Sequence, residues 1–309
     1  MSLRVAIASS SLLAFPTIAR FRTLSGVEIV GFLSTPDRRK GRDRHESPNP
    51  FASKLLDEGH DVLRPRNNVE LLHALESLSP DLVIVIAYGK LINQDALDIP
   101  ERGWVNLHFS LLPAFRGAAP VQRALLRGEK EFGFSIFKLD TGMDSGPVYL
   151  RQQVEFPDTA CATEILDRLA VLGADAFPNV IEKILKGEMP ISQEGEPSFA
   201  AKFDRTDTHL DLSQSGEAVF NQIRAFTHSP GVWLKLEDQR ILITSARPWN
   251  ESMPASSLVL KNDSLILGTE GMGLELVKVI PEGRKEMTGG EFARGLRLQK
   301  NMAIKVRIS

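Results

Sequence analysis

Residues 81–87 read Asp-Leu-Val-Ile-Val-Ile-Ala, six consecutive apolar residues behind one aspartate. A run of this length with no polar position has no solvated face. It reads as a strand buried on both sides, which is the mark of a parallel sheet covered by helices. Working outward, Leu3–Ala8 and Val27–Leu33 read as two further strands, and Asp61–Leu63 as a short one. Helical patterns fall between them at Leu12–Arg22, Phe51–Glu58 and Val69–Leu78, with Pro16 near the first turn of the first. This alternation predicts an α/β domain with a doubly wound, Rossmann-like sheet that binds ligands outside the carboxyl ends of its strands. The turn after the first strand is Ser9-Ser10-Ser11, so the glycine-rich dinucleotide fingerprint is absent.

The next apolar run, Trp104–Leu107, carries Asn106 and His108 two residues apart. Residues i and i+2 of a strand point to the same face, so an amide and an imidazole stand side by side where the strand opens into a loop. A further run, Phe134–Leu139, ends in a glycine turn that delivers Asp144. The three groups are expected at or just beyond strand ends. Their chemistry suits transfer at a carbonyl. An Asn amide can donate to the developing oxyanion, a donor whose removal costs roughly 3–4 kcal/mol of barrier where measured. A His can donate to the same oxygen or shuttle a proton. An Asp can orient the imidazole and accept the amine proton. No Ser or Cys nucleophile is needed when the substrate amine attacks. Singly, each residue also has a structural reading: Asn106 as a cap, His108 as a backbone-satisfied histidine, Asp144 as a turn residue.

Taken together, the spacing is specific. N-x-H at 106–108, S-L-L-P at 110–113, R-G-A-A-P-x-Q at 116–122 and D-x-G-x-D-x-G at 140–146 resemble the signature of the 10-formyltetrahydrofolate-dependent formyltransferases. The variant RGAAPVQRAL, Arg116–Leu125, is similar to the branch that acts on methionyl-tRNA. The resemblance implies that Asn106, His108 and Asp144 are the catalytic triplet. It implies that Ser110, Leu111, Leu112 and Pro113 contact the folate. Tyr88, in Ala87-Tyr88-Gly89, has two readings, as a wall of the folate pocket or as an aromatic at the core edge. Relatives usually carry a Gly-Thr-Pro-like turn where this chain has three serines, a departure that bears on substrate contacts there. Residues 35–44 (TPDRRKGRDR) hold five basic side chains in ten: Arg38, Arg39, Lys40, Arg42 and Arg44. Read alone this is a solvated loop. A basic loop at this place in the methionyl-tRNA branch enters the acceptor arm, and Lys/Arg contacts to phosphates supply most non-specific affinity for nucleic acid.

Beyond the catalytic stretch, Ala118–Leu126 reads as a helix and Val148–Val154 as a strand. Ala162–Leu172 and Ala174–Lys186 read as two helices, and Gly187–Pro197 has the composition of a linker. Ser213 is the expected N-cap of a helix over Gly216–Ala225. Short strand-like runs then follow at Val232–Leu236, Arg240–Ser245, Ser257–Leu260, Ser264–Leu267 and Leu274–Ile280, predicting a smaller, mainly β, OB-like barrel. The expected division is a formyltransferase catalytic domain over 1–189, a linker over 190–205 and a tRNA-binding domain over 206–309. Residues 280–309 hold seven basic against three acidic side chains, a second candidate surface for the tRNA backbone.

Composition bounds the rest. A chain of 309 residues is comfortable for two domains, and a net charge of −2 predicts no global polyanion affinity. The single cysteine, Cys161, forms no internal disulfide and suits a cytoplasmic protein. The serines at 9–11 interrupt the first apolar run, which argues against a signal peptide, and no run approaches the ~20 apolar residues of a membrane span. Expected are 10-formyltetrahydrofolate as co-substrate, no metal, initiator methionyl-tRNA as partner, no membrane association and no stable protein partner in a monomer. The rival readings are formylation of an amino-sugar nucleotide or glycinamide ribonucleotide, hydrolysis of the folate, or a catalytically silent binding protein.

Overall fold

The computed structural model describes residues 2–39, 45–204, 206–237, 239–251, 253–297 and 303–306. They divide into two compact units. One comprises Met1–Pro120, Phe132–Glu155 and Leu166–Ala200; the other comprises Val121–Glu131, Phe156–Ile165 and Ala201–Ser309.

In the first unit the strands are β1 (Leu3–Ser9), β2 (Val27–Leu33), β3 (Arg38–Arg39), β4 (Glu46–Ser47), β5 (Val62–Leu63), β6 (Leu82–Ile86), β7 (Trp104–His108), β8 (Phe132–Lys138) and β9 (Val148–Val154). Seven of them form one sheet in the order β5-β2-β1-β6-β7-β8-β9. From β5 to β7 the pairs are parallel, as the buried apolar runs predict. The reversal of order at β1 and β6 makes the sheet doubly wound. β8 and β9 are antiparallel additions at one edge.

The helices before residue 200 are α1 (Phe15–Arg22), α2 (Pro50–Asp57), α3 (Asn68–Leu78), α4 (Gln94–Leu97), α5 (Pro120–Leu126) and α6 (Ala162–Leu185); α5 from Val121 onward and the start of α6 as far as Ile165 belong to the second unit. A 3-10 turn, Leu12–Ala14, leads into α1. Three asparagines start three helices. Asn49, Asn67 and Asn93 accept the backbone N–H of Ala52, Glu70 and Ala96, each such cap contributing about 1 kcal/mol. β6 is buried along its whole length, in a core with Ala6, Ala8, Leu33, Leu75 and Trp104. The Trp104 indole N–H donates to the Ala96 carbonyl at 2.8 Å.

The expected pair of helices over 162–186 is one helix of 24 residues. Gly173 sits inside it where a Cβ would come within 2.6 Å of the δ-carbons of Leu107 on β7. The glycine marks close helix–sheet contact, and packing outweighs its cost in helix propensity of about 1 kcal/mol.

The second unit contains α7 (Gly216–Phe226), strands β10 (Val232–Leu236), β11 (Gln239–Trp249), β12 (Ser257–Lys261), β13 (Ser264–Gly268), β14 (Gly273–Pro281) and β15 (Met287–Thr288), α8 (Gly289–Gly295) and β16 (Ala303–Lys305). The main sheet is antiparallel, in the order β10-β11-β14-β13-β12-β16, with β15 on β14, and curls as a half-barrel. Register shifts near Ser245 on β11 bend its pairing with β14. The N-cap of α7 is Ser215, whose hydroxyl accepts from Ala218. Ser213 is drawn instead onto the Asp211 carboxylate, to which its N–H and hydroxyl both donate. No helix among the described residues is long and apolar enough to cross a membrane.

Candidate active site

On β7, Trp104, Asn106 and His108 share one face, and Val105 and Leu107 the other. Leu107 packs toward Gly173 of α6, so the amide and the imidazole stand on the sheet face away from that helix. Both are buried, 8% and 6% exposed. Asn106 is flanked by Val85 on β6 and Phe137 on β8. Its Oδ1 is buried with no hydrogen-bond partner. A buried acceptor left without a donor costs stability.

His108 is oriented by the backbone. Its Nε2 lies 2.9 Å from the carbonyl oxygen of Phe115. A carbonyl only accepts, so Nε2 carries the hydrogen and Nδ1 is the nitrogen free to gain or lose a proton. Phe137 packs edge-on against the ring, with centroids 6.3 Å apart.

Asp144 arrives by a longer route than its sequence position suggests. β8 runs antiparallel to β7, and its last residue, Lys138, pairs with Val105, whereas His108 pairs with Ser135. At ~3.4 Å per residue the loop after β8 must travel back roughly 10 Å along β7 to reach the histidine. It does so: the Asp144 Oδ2 stands 3.7 Å from His108 Nδ1. That is charge proximity rather than a hydrogen bond. The Phe115 carbonyl therefore holds the imidazole by the hydrogen bond, and Asp144 faces the other ring nitrogen at ion-pair distance. Asp144 has a positive φ of 49°, and its Oδ2 accepts the Gly117 N–H at 2.7 Å. A Cβ on Gly146 would overlap the Lys138 carbonyl, so the loop needs glycine there.

The Ser110–Pro113 segment spends most of its polar groups internally. Ser110 Oγ donates to the Ala114 carbonyl at 2.6 Å, and the Ser110 carbonyl accepts from Ser135 Oγ at 2.7 Å. Ser135 Oγ also accepts the Leu112 N–H. Leu112 is buried with Phe137 and Val148, while Leu111 and Pro113 are half-buried. Tyr88 lies in the core cluster, 2% exposed, with its hydroxyl unpartnered. Burial pushes its phenol up to about 12. The three serines at the end of β1 and just beyond it are tied in place. Ser10 donates from both N–H and Oγ to the Ala87 carbonyl, and Ser34 Oγ donates to the Ser9 carbonyl. The Ser9–Ser11 turn is thereby held against the turn that closes β6.

In the basic stretch, Arg38 and Arg39 are exposed and pair as β3 with Ser47 and Glu46 of β4. Asp37 before them is held by Arg64 at 2.8 Å. Lys40, Arg42 and Arg44 lie outside the described residues. Lys90 donates to the Pro65 carbonyl, and burial, aided by Arg38, lowers its pKa. Among the described residues no cluster of His, Cys, Asp and Glu is suited to hold a metal ion.

Several residues at the site were not singled out as functional from sequence. Ser135 left one signal, a hydroxyl inside the apolar run Phe132–Phe137. Phe115 acts through its carbonyl and a φ of 57°, which no side chain announces. Gln193 lies in the stretch that reads as a linker. In fact Ile191 pairs with Val148, and the backbone of Ser198 and Ala200 bonds to that of Pro113, Arg116 and Ala119. That segment is a strap along the site's loops.

Known proteins set this geometry in context. A model of the formyl transferase family matches residues 4–181, and one of the formyl transferase C-terminal domain matches residues 202–297. A methionyl-tRNA formyltransferase of Thermus thermophilus is 38% identical over 296 residues, covering 95% of this chain and 96% of that protein. One from Paenarthrobacter aurescens is 36% identical over 300 residues, covering 95% and 97%. Among solved structures, a methionyl-tRNA formyltransferase from Clostridium thermocellum superposes with a TM-score of 0.56 at 18% identity, covering 82% of this chain and 96% of that one. HypX from Aquifex aeolicus in complex with tetrahydrofolic acid superposes at 0.67 and 16%, covering 97% and 49%. The chain belongs to the formyl transferase family. It is a formyltransferase enzyme, and the two-part fold is that of the family.

Proposed function

We propose that this enzyme moves the formyl group of 10-formyltetrahydrofolate to the α-amine of methionine carried on initiator tRNA, for translation initiation in the cytoplasm. The convergence of Asn106, His108 and Asp144, three residues from two separated stretches, carries the reading. In it Asn106 donates to the formyl oxygen as negative charge develops there, from a buried strand position where a hydrogen bond counts for more than in water. His108 keeps its Nε2 hydrogen on the Phe115 carbonyl and works through Nδ1, beside the Asp144 carboxylate. The amine proton leaves toward that pair as the new C–N bond forms, and a proton is delivered to the folate nitrogen as its bond to the formyl carbon breaks, releasing tetrahydrofolate.

Leu111 and Pro113 of the S-L-L-P segment offer half-buried apolar surface for the folate, with Ser110 and Leu112 shaping the loop beneath them. Tyr88 is assigned to the folate wall by the family resemblance, with its unpartnered hydroxyl as the polar group it could offer. Arg38 and Arg39, with Lys40, Arg42 and Arg44, meet the phosphates of the acceptor arm. Residues 1–189 carry the chemistry, and the domain from 206 onward holds the tRNA. The relatives named as methionyl-tRNA formyltransferases along nearly their whole length support this acceptor over an amino-sugar nucleotide.

The test is an acceptor competition with 10-formyltetrahydrofolate. Initiator methionyl-tRNA, elongator methionyl-tRNA, an amino-sugar nucleotide and no acceptor are offered in parallel. Selective formylation of the initiator species is expected. Transfer to the small nucleotide, or folate turnover with no acceptor, would overturn the assignment.

A further inference from the structure

Asp144 has to be held at the end of a roughly 10 Å return path, with a backbone conformation that non-glycine residues rarely adopt. Two side chains outside the catalytic triplet meet that demand. The Gln193 amide nitrogen donates to the carbonyl oxygens of Asp144 and Gly146, both at 2.8 Å. Its Oε1 accepts from Arg116 Nε at 3.1 Å and Nη2 at 2.6 Å. The one amide thus uses both donors on the aspartate loop and its acceptor on a charged fork. Arg116 is the residue before Gly117, whose N–H holds the Asp144 carboxylate. The chain closes a ring: Arg116, Gln193, the Asp144 backbone, the Asp144 carboxylate and Gly117.

We infer that Gln193, clamped by Arg116, is a positioning residue for the reaction. It locks the backbone on both sides of Ser145 so that the Asp144 carboxylate faces His108 Nδ1. The inference rests on the assignment of Asp144 to the chemistry. Gln193 touches no reacting atom; it acts through the loop it braces. It is half-buried within a stretch, 191–197, that is otherwise exposed, as a surface side chain turned inward would be. Only an amide can serve. A carboxylate of the same shape would keep Arg116 but set negative charge against two carbonyl oxygens.

Gln193→Glu in the full-length enzyme is the discriminating variant, with Gln193→Ala beside it. For both, kcat for formylation of methionyl-tRNA is expected to fall about 100-fold, the scale of a misplacement near 1 Å. KM for tRNA and folate should stay within about twofold, a split that a general loss of structure does not produce. Hydrogen exchange gives a readout independent of turnover: the Gly117 amide should exchange at least about tenfold faster once Asp144 is released. Unchanged Gly117 exchange overturns the brace whatever the kinetics do. Faster exchange with unaltered kcat overturns its role in the reaction. A wild-type enzyme that fails to formylate methionyl-tRNA would instead sink the functional assignment, and Gly117 exchange would still judge the brace.

Discussion

Replacing Asn106 with leucine should make the protein more stable and nearly inactive. Asn106 Oδ1 is buried and unpartnered between Val85 and Phe137. An unsatisfied buried polar group costs about 1–3 kcal/mol, and an apolar side chain of similar volume removes that cost. Part of the gain is lost to imperfect packing against the strand neighbours, leaving about 1 kcal/mol. With a urea dependence of about 2 kcal/mol per molar for a unit of this size, the midpoint should rise by roughly 0.5 M. Turnover should drop by about 10²–10³, the loss seen when one oxyanion donor is removed. The reporter must lie in the first unit, which carries the substitution. Trp104 does, two residues from the substitution, and the other two tryptophans, Trp233 and Trp249, can be replaced by phenylalanine to isolate its signal. A lowered midpoint, or a kcat within tenfold of wild type, would refute the reasoning.

Asp144→Asn keeps an acceptor for the Gly117 N–H but removes the charge 3.7 Å from His108 Nδ1. kcat should fall at least about 100-fold, with thermal stability little changed; retained turnover would remove Asp144 from the proton path. Tyr88 supplies a pH signature. Desolvation holds its phenol at about 12 in the folded chain against an ordinary 10.0, so the neutral form is the one that folding favours. Its contribution is full below pH 10 and is lost as pH rises toward 12, about 3 kcal/mol in all. Urea midpoints at pH 9.5 and 11.5 should therefore lie further apart in the wild type than in Tyr88→Phe, where the half-buried Tyr149 and Lys90 still contribute; an equal separation in the two proteins would refute the assignment. Finally, KM for tRNA should rise with salt, and replacing Arg38 and Arg39 with glutamine should reduce the log–log slope by about one to two. An unchanged slope would place these arginines away from phosphate.

Much of the architecture was legible because it follows from local pattern. A strand buried on both faces has no choice but an unbroken apolar run, so β1 and β6 and the parallel sheet are written in residues 3–8 and 81–87. The period-2 rule is enough to place Asn106 and His108 on one face. Helix ends were less legible, because Ser213 and Ser215 are equivalent as caps until Asp211 claims one of them. Gly173 read as a break, since its tight packing against Leu107 involves a residue 66 positions away.

The sequence by itself therefore determined the class of sheet, the two-part division of pattern, the amide–imidazole pair and the kind of chemistry they suit. The tertiary structure alone decided how the site is assembled. Whether β8 runs parallel or antiparallel to β7 is settled by long-range pairing, and it dictates that the Asp144 loop must double back. The imidazole is oriented by a backbone carbonyl at Phe115, and a carbonyl has no identity in the sequence. Gln193 looks like part of a polar linker because its partners, Arg116 and the carbonyls of Asp144 and Gly146, lie 47 to 77 residues away. Local propensity and periodicity encode strands and faces. Contacts made by main-chain atoms across such separations exist only once the chain has closed on itself.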